Sequence, residues 1–125
     1  MKQLCIFLLL IVSILGGCSG KYLAFSGESK NWEGTYSTTI NESTENGTYT
    51  LHFKNGDRNT KLKEIEIIIN NGGGESILNE EEHIGGSFNI SSSCQGCAVT
   101  RENERIKVTI KWDGQYEEKF YLDQK

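Results

Sequence analysis

Hydrophobic and polar residues alternate with a period of two along most of this chain. The clearest example is the stretch Ile106–Trp112, in which every second residue is apolar. Similar alternation marks four further stretches, around residues 32–40, 49–53, 65–69 and 88–90. A period of two is typical of β-strands that bury one face. The pattern therefore predicts a fold built from strands.

Short polar segments rich in Asn, Asp and Gly separate the alternating stretches. They include Asn41–Gly47, Asn55–Asp57, Asn70–Gly74 and the pair Asp113-Gly114. An Asp-Gly pair between two alternating stretches is a strong signal for a β-hairpin. We expect an all-β fold, specifically an antiparallel immunoglobulin-like β-sandwich of seven or eight short strands. A small β-barrel is the competing architecture.

Two short segments are less regular. Leu78–Glu82 could form a single helical turn, which Gly85 and Gly86 would soon end. Ala98–Thr100 predicts a short additional strand.

The first 17 residues have a different character. Lys2 is followed by a mainly apolar run from Leu4 to Leu15, which contains 12 residues. Twelve helical residues span about 18 Å, less than the roughly 30 Å of a bilayer's hydrocarbon core. A positive start, a short apolar core and small residues after it predict a secretory signal peptide over residues 1–17.

The end of this segment, Leu15-Gly16-Gly17-Cys18, resembles the lipobox of bacterial lipoproteins. The resemblance implies cleavage before Cys18 and attachment of a diacylglyceryl group to its thiol. Two acyl chains are enough for stable anchoring to a membrane. We therefore expect residues 18–29 to hold the lipidated cysteine and a tether, within which the first strand starts, and residues 30–125 to form the β-domain.

Composition narrows the class of protein further. The 125 residues suffice for one domain, and the net charge of −4 argues against nucleic acid as a partner. A secreted chain lies in an extracytoplasmic compartment, where disulfides persist. The expected location is the outer face of the cell membrane, with the lipid anchor as the membrane contact.

Two further motifs carry a family resemblance. One is Ser26-Gly27-Glu28-Ser29 with Trp32, and the other is Cys94-Gln95-Gly96-Cys97 followed by the Ile106–Gly114 stretch and Glu117. With the lipobox, they resemble small cell-surface lipoproteins of Bacillus-type bacteria. The resemblance implies a lipid-anchored surface β-sandwich and transfers no catalytic residue.

The pair Cys94 and Cys97 admits three interpretations. A structural disulfide across the Gln95-Gly96 turn is the interpretation we favour. A thiol–disulfide redox pair would need a helix start to lower the thiol pKa. A zinc site would need further ligands, for which His52 and His83 are the available histidines.

Other side chains that could carry chemistry are few. Glu80–Glu82 with His83 could bind a cation, although three adjacent carboxylates point in different directions. Tyr36, Tyr49, Tyr116 and Tyr121 could line one binding face. We therefore expect a non-enzymatic surface or interaction module with no catalytic residue, no metal and no cofactor, whose partner is an envelope protein or ligand. A thiol–disulfide protein and a metal or small-ligand carrier are the alternatives.

Overall fold

The computed structural model describes residues 20–72 and 74–125, and its regular elements are all β-strands. They are β1 Lys21–Glu28, β2 Trp32–Asn41, β3 Thr44–Phe53, β4 Lys61–Asn71, β5 Gly74–Ile84, β6 Ser87–Gln95, β7 Ile106–Trp112 and β8 Tyr116–Gln124. The predicted all-β class and the upper strand count are confirmed. The signal peptide and Cys18 lie outside the described residues.

All eight strands belong to one antiparallel sheet that curls into a half-barrel. The strand order is β5-β4-β7-β8-β1-β2-β3-β6, so β5 and β6 form the two edges. The immunoglobulin-like sandwich is not confirmed, because β8 pairs with both β7 and β1 and thereby joins the two halves by hydrogen bonds. Two stacked sheets would lack such a connection.

The junction between the two halves is narrow. β1 and β8 pair at Phe25 with Gln124 and at Ser26 with Asp123. By contrast, β1 pairs with β2 over its full length, from Lys21 to Glu28. The narrow junction lets the sheet curl and bring its two halves around a shared core.

The alternating apolar residues face the inside of the curl. Trp32, Phe25, Ile67, Ile110 and Leu122 are among the buried side chains of this core. The ring of Trp32 lies 5.2 Å from the ring of Phe53 and 5.6 Å from that of Trp112, as measured between centroids. Burial of these alternating apolar side chains is therefore the main source of the fold's stability.

The short Gly85-Gly86 connection between the two edge strands closes one end of the half-barrel, where it bonds to the neighbouring chain segments. The Gly85 N–H donates to the carbonyl oxygen of Thr60 at 2.7 Å, and the Phe53 N–H donates to that of Gly86 at 2.7 Å. The ring of His83 stacks on Phe88 with 3.8 Å between centroids. Backbone hydrogen bonds and aromatic contacts thus hold this end together.

Several local predictions can be compared with the strands. The Asp113-Gly114 hairpin is confirmed, with φ angles of 54° and 69° in the two residues. β1 occupies Lys21–Glu28, which confirms a first strand inside the 18–29 segment, and the sheet therefore begins well before residue 30.

Two local predictions are wrong. Leu78–Glu82 is part of β5 because pairing with β4 places Leu78 opposite Ile67. Tertiary pairing of this kind overrides a weak local helix preference. Ala98–Thr100 is irregular rather than a strand, because it belongs to the connection that crosses from β6 to β7.

Candidate binding cleft beside Glu45

A cleft of about 360 Å³ opens between the edge strands, at the end of the half-barrel opposite the Gly85-Gly86 connection. One wall comes from the start of β5 and the end of β4, and the other from the end of β6. The lining includes Asn71, Ser76, Ser92, Cys94, Cys97 and Thr100, with Tyr36, Glu45 and Tyr49 at the base. The mouth of a barrel-like sheet is a common position for a binding site.

Glu45 is the charged group at the base of this cleft. It lies on β3 in the same alternation as Tyr49 and Leu51, so its side chain points inward, and only 6% of its surface is exposed. Its carboxylate accepts hydrogen bonds from the Thr100 N–H at 2.7 Å, the Thr100 hydroxyl at 2.7 Å and the Thr38 hydroxyl at 3.1 Å. The Tyr36 hydroxyl donates a fourth bond. A buried carboxylate is tolerated in a fold when it is satisfied in this way.

The network continues from Glu45 to β4. The side-chain N–H₂ group of Asn71 donates to the Thr100 hydroxyl at 2.7 Å and to the Tyr49 hydroxyl at 3.2 Å. The rings of Tyr36 and Tyr49 stack at 4.0 Å between centroids, with 14° between their planes. These contacts join side chains from β2, β3, β4 and the β6–β7 connection. They hold the half-barrel together at the cleft end, where the two edge strands diverge.

The surroundings shift the acidity of both partners in the central hydrogen bond. Burial by itself would raise the pKa of Glu45, but the bonds from Tyr36, Thr100 and Thr38 outweigh it and lower the pKa. Burial, followed by the bond to Glu45, raises the pKa of Tyr36 far above its ordinary value of 10.0. The stable arrangement is therefore an ionised carboxylate that accepts from a protonated phenol. Glu45 consolidates the floor of the cleft.

The sulfur atoms of the Cys-x-x-Cys motif lie at bonding distance from each other beside this floor, so Cys94 and Cys97 can form a disulfide. Cys94 stands directly opposite Glu45 in the β3–β6 register. Gly96 adopts a φ of 73°, which glycine reaches without strain, and its N–H donates to the carbonyl oxygen of Ser43 at 2.9 Å. Cys97 begins the segment that brings Thr100 onto the carboxylate. The Cys94–Cys97 turn, held by the Gly96 bond to Ser43, thus sets the start of the segment that covers this end.

The two histidines lie at the other end of the half-barrel. His52 lies within hydrogen-bonding distance of the Ser87 hydroxyl at 2.9 Å, and His83 contacts Glu80 at 3.0 Å and the carbonyl oxygen of Ser87 at 2.9 Å. Neither is near the cysteine pair, so the suggested zinc set is not assembled. Among residues 20–72 and 74–125, no group of three or more His, Cys, Asp or Glu side chains could hold a metal ion.

The proposed tyrosine face is also not assembled. Tyr36 and Tyr49 are buried inside the half-barrel, whereas 49% of Tyr116 and 41% of Tyr121 is exposed. The polar segment Asn41–Gly47 predicts a turn, whereas the structure places Glu45 within β3 with its side chain buried. The signal was present, since Glu45 continues the period-two series of Tyr49 and Leu51. Thr100 and Asn71 carried no comparable signal, because their contacts join distant parts of the chain.

Comparisons with family models, curated proteins and solved structures find no match to this chain. Within the described ranges, no helix is long and apolar enough to cross a membrane. The fold and the cleft therefore carry the functional argument.

Proposed function

We propose that this protein is a non-enzymatic interaction module, anchored through lipidated Cys18 to the outer face of the cell membrane, that receives an extended segment of an envelope protein at the cleft. The observation that carries the proposal is the position of the cleft between two edge strands. An edge strand presents backbone donors and acceptors, to which an extended segment can add as a further strand. A side chain of that segment would enter the cleft.

The rigid floor of the cleft supports this role. A site whose groups are already ordered loses less conformational entropy when a partner binds. The hydrogen bonds to Glu45, the tyrosine stack and the Cys94–Cys97 disulfide order the floor without a partner. Ser76 and Ser92 stand at the walls and offer hydroxyl groups to an incoming backbone or side chain.

The position of the anchor supports a partner close to the membrane. Lys21 begins β1 and pairs with Ile40, which pairs in turn with Glu45. The start of β1 is therefore at the same end of the half-barrel as the cleft. Cys18 precedes Lys21 by three residues, which reach at most about 10 Å. A lipid on Cys18 would hold the cleft end towards the bilayer.

The anchor is tested by replacing Cys18 with alanine. We expect the Cys18→Ala protein to lose incorporation of labelled palmitate and to leave the membrane fraction, because the thiol that would carry the diacylglyceryl group is gone. Cys5→Ala is the matched control, since Cys5 lies within the predicted signal peptide and should leave both properties unchanged. Retention of Cys18→Ala in washed membranes would refute the anchor.

The cleft is tested by cross-linking in intact cells. A photoreactive phenylalanine analogue at Ser76 should form a defined protein adduct, whereas the same group at exposed Lys119 on β8 should not. The Ser92→Trp substitution in the Ser76-labelled chain should abolish the adduct by filling the cleft, and Ile77→Trp, on the outward side of β5, should preserve it. Equal adducts from Ser76 and Lys119 would reject the cleft as the binding site. An unchanged adduct in Ser92→Trp, in a protein whose unfolding midpoint is also unchanged, would reject it as well.

The alternatives stay hypotheses. A thiol–disulfide role would use the Cys94–Cys97 bond, which lines the cleft. A metal or small-ligand carrier would use the same cleft or the Glu80–His83 contact.

A further inference from the structure

Nine outward positions on β2, β3 and β6 form an ordered array of polar, uncharged side chains. The β-sheet register aligns Thr35 with Thr50 and Thr50 with Asn89 in one row across the three strands. The other two rows are Ser37–Thr48–Ser91 and Thr39–Asn46–Ser93. We call these nine side chains the hydroxyl face. It is separate from the cleft, which lies on the inner side of the sheet.

The absence of charge from this face is unusual for the chain. Charged residues make up 24% of the whole sequence, and typical surfaces carry a similar or higher fraction, so nine outward positions would hold about two charges. Ala24 and Ser26 extend the uncharged rows onto β1. The next row beyond Thr35–Thr50–Asn89 is charged, with Glu28 on β1 and Glu33 on β2. The composition is therefore specific to this face.

The array has regular spacing and many hydrogen-bonding groups. Neighbouring strands place in-register residues about 5 Å apart, and alternate residues along a strand lie about 7 Å apart. Thr50 donates to the side-chain oxygen of Asn89 at 3.2 Å, and Ser93 donates to that of Asn46 at 2.8 Å. These two bonds direct the amide N–H₂ groups of both asparagines away from the hydroxyls. The face thus presents donors and acceptors on a rigid sheet.

An aromatic ring stands at one corner of the hydroxyl face. Tyr22 on β1 pairs with Thr39, and 66% of its surface is exposed. An exposed tyrosine offers a flat apolar ring and one polar hydroxyl. Such a ring can pack on the C–H face of a sugar while nearby hydroxyl and amide groups bond to the sugar's own hydroxyls.

The uncharged, polar side chains of the hydroxyl face limit the classes of partner that it could bind. A polyanion requires Lys or Arg contacts to its phosphates, and the nine positions contain neither. A lipid or an apolar peptide requires a contiguous apolar patch, which nine Ser, Thr and Asn side chains do not form. A neutral surface of hydroxyl and amide groups matches a neutral chain of the same groups. We propose that the hydroxyl face, with Tyr22, binds a neutral polysaccharide.

The proposal is tested with the full chain in phospholipid vesicles, and the test rests on the proposed anchor at Cys18, whose failure shows separately as loss of incorporation into the vesicles. The probes are insoluble chitin and cellulose, with glycerol-phosphate teichoic acid as the anionic comparator. We expect vesicle retention on a neutral polysaccharide that persists as salt is raised, because the contact involves no counterion release. Thr48→Lys, at the centre of the array, should weaken retention by about tenfold or more, which corresponds to about 1.4 kcal/mol. Tyr22→Ala should also weaken it.

Asn79→Lys is the matched control, because it adds the same charge on the outward side of β5 in the other half of the sheet. Ser91→Lys, on edge strand β6, repeats the test should Thr48→Lys fail to fold. No retention on either neutral polysaccharide, retention of teichoic acid alone, or equal binding by folded Thr48→Lys or Ser91→Lys would overturn the proposal. Ser92→Trp should bind the polysaccharide normally, so failure of the cleft and failure of the hydroxyl face are distinguishable.

Discussion

Replacing Glu45 with alanine is expected to lower the free energy of unfolding by about 3 kcal/mol or more. The substitution removes the acceptor of four hydrogen bonds. The Tyr36 hydroxyl and the Thr100 N–H and hydroxyl stay buried, whereas the Thr38 hydroxyl keeps the carbonyl oxygen of Asn46 at 3.2 Å. Each buried donor left without a partner costs about 1–3 kcal/mol. For a domain of this size, the thermal midpoint should fall by roughly 10–20 °C.

Denaturant unfolding of the purified variants measures this effect. Glu42→Ala is the matched control, because Glu42 is an exposed carboxylate in the turn between β2 and β3. Its effect should stay within about 0.5 kcal/mol. Equal stability of Glu45→Ala and Glu42→Ala would show that the buried network contributes little.

The stabilisation by Glu45 should also depend on pH. Hydrogen bonds lower the pKa of this carboxyl in the folded state below its ordinary value of 4.5, which applies to the unfolded chain. The folded state therefore binds this proton less readily than the unfolded state. The contribution is fully present above the ordinary pKa and is lost as the pH falls through the lowered pKa. The gap in stability between wild type and Glu45→Gln should narrow over that acidic range, and a constant gap would contradict the ionised form.

Replacing Gly27 with alanine is expected to be the most damaging change of a single small residue at the junction between the two half-sheets. A Cβ atom at Gly27 would overlap the backbone carbonyl oxygen of Tyr121 on β8. A backbone atom cannot rotate away, so β1 and β8 would have to separate. They pair at the two residues that precede this glycine, Phe25 and Ser26. Overpacking costs typically 1–3 kcal/mol and sometimes more, and we expect about 3 kcal/mol here.

Thermal unfolding followed by far-ultraviolet circular dichroism measures this loss. Gly20→Ala is the matched control, because a Cβ atom there would meet only the Thr39 methyl group at 3.7 Å, an ordinary contact. Gly27→Ala should unfold at a clearly lower temperature than Gly20→Ala. Coincident transitions would mean that the two half-sheets tolerate separation at the junction.

Part of this fold is encoded in local sequence. The strands of the core follow from period-two alternation, since each must bury the same face along its length. The hairpin at Asp113-Gly114 follows from two residues that accept positive φ. Both features depend on neighbours in the sequence. The inward position of Glu45 also follows from local alternation, since Glu45 lies in the period-two series of Tyr49 and Leu51. A polar residue in such a series is nevertheless easily assigned to a turn.

Sequence by itself determined the β-class of this protein and the face that its clearly alternating strands bury, because both depend on local periodicity and turn chemistry, whereas β5 was fixed only by its pairing with β4. Only the tertiary structure decided that the strands form one curled sheet, since β1–β8 pairing joins residues about one hundred positions apart. The same applies to the contact of Thr100 with Glu45 and to the three aligned rows of the hydroxyl face. Strand order and register arise from packing between distant segments, which no local pattern encodes.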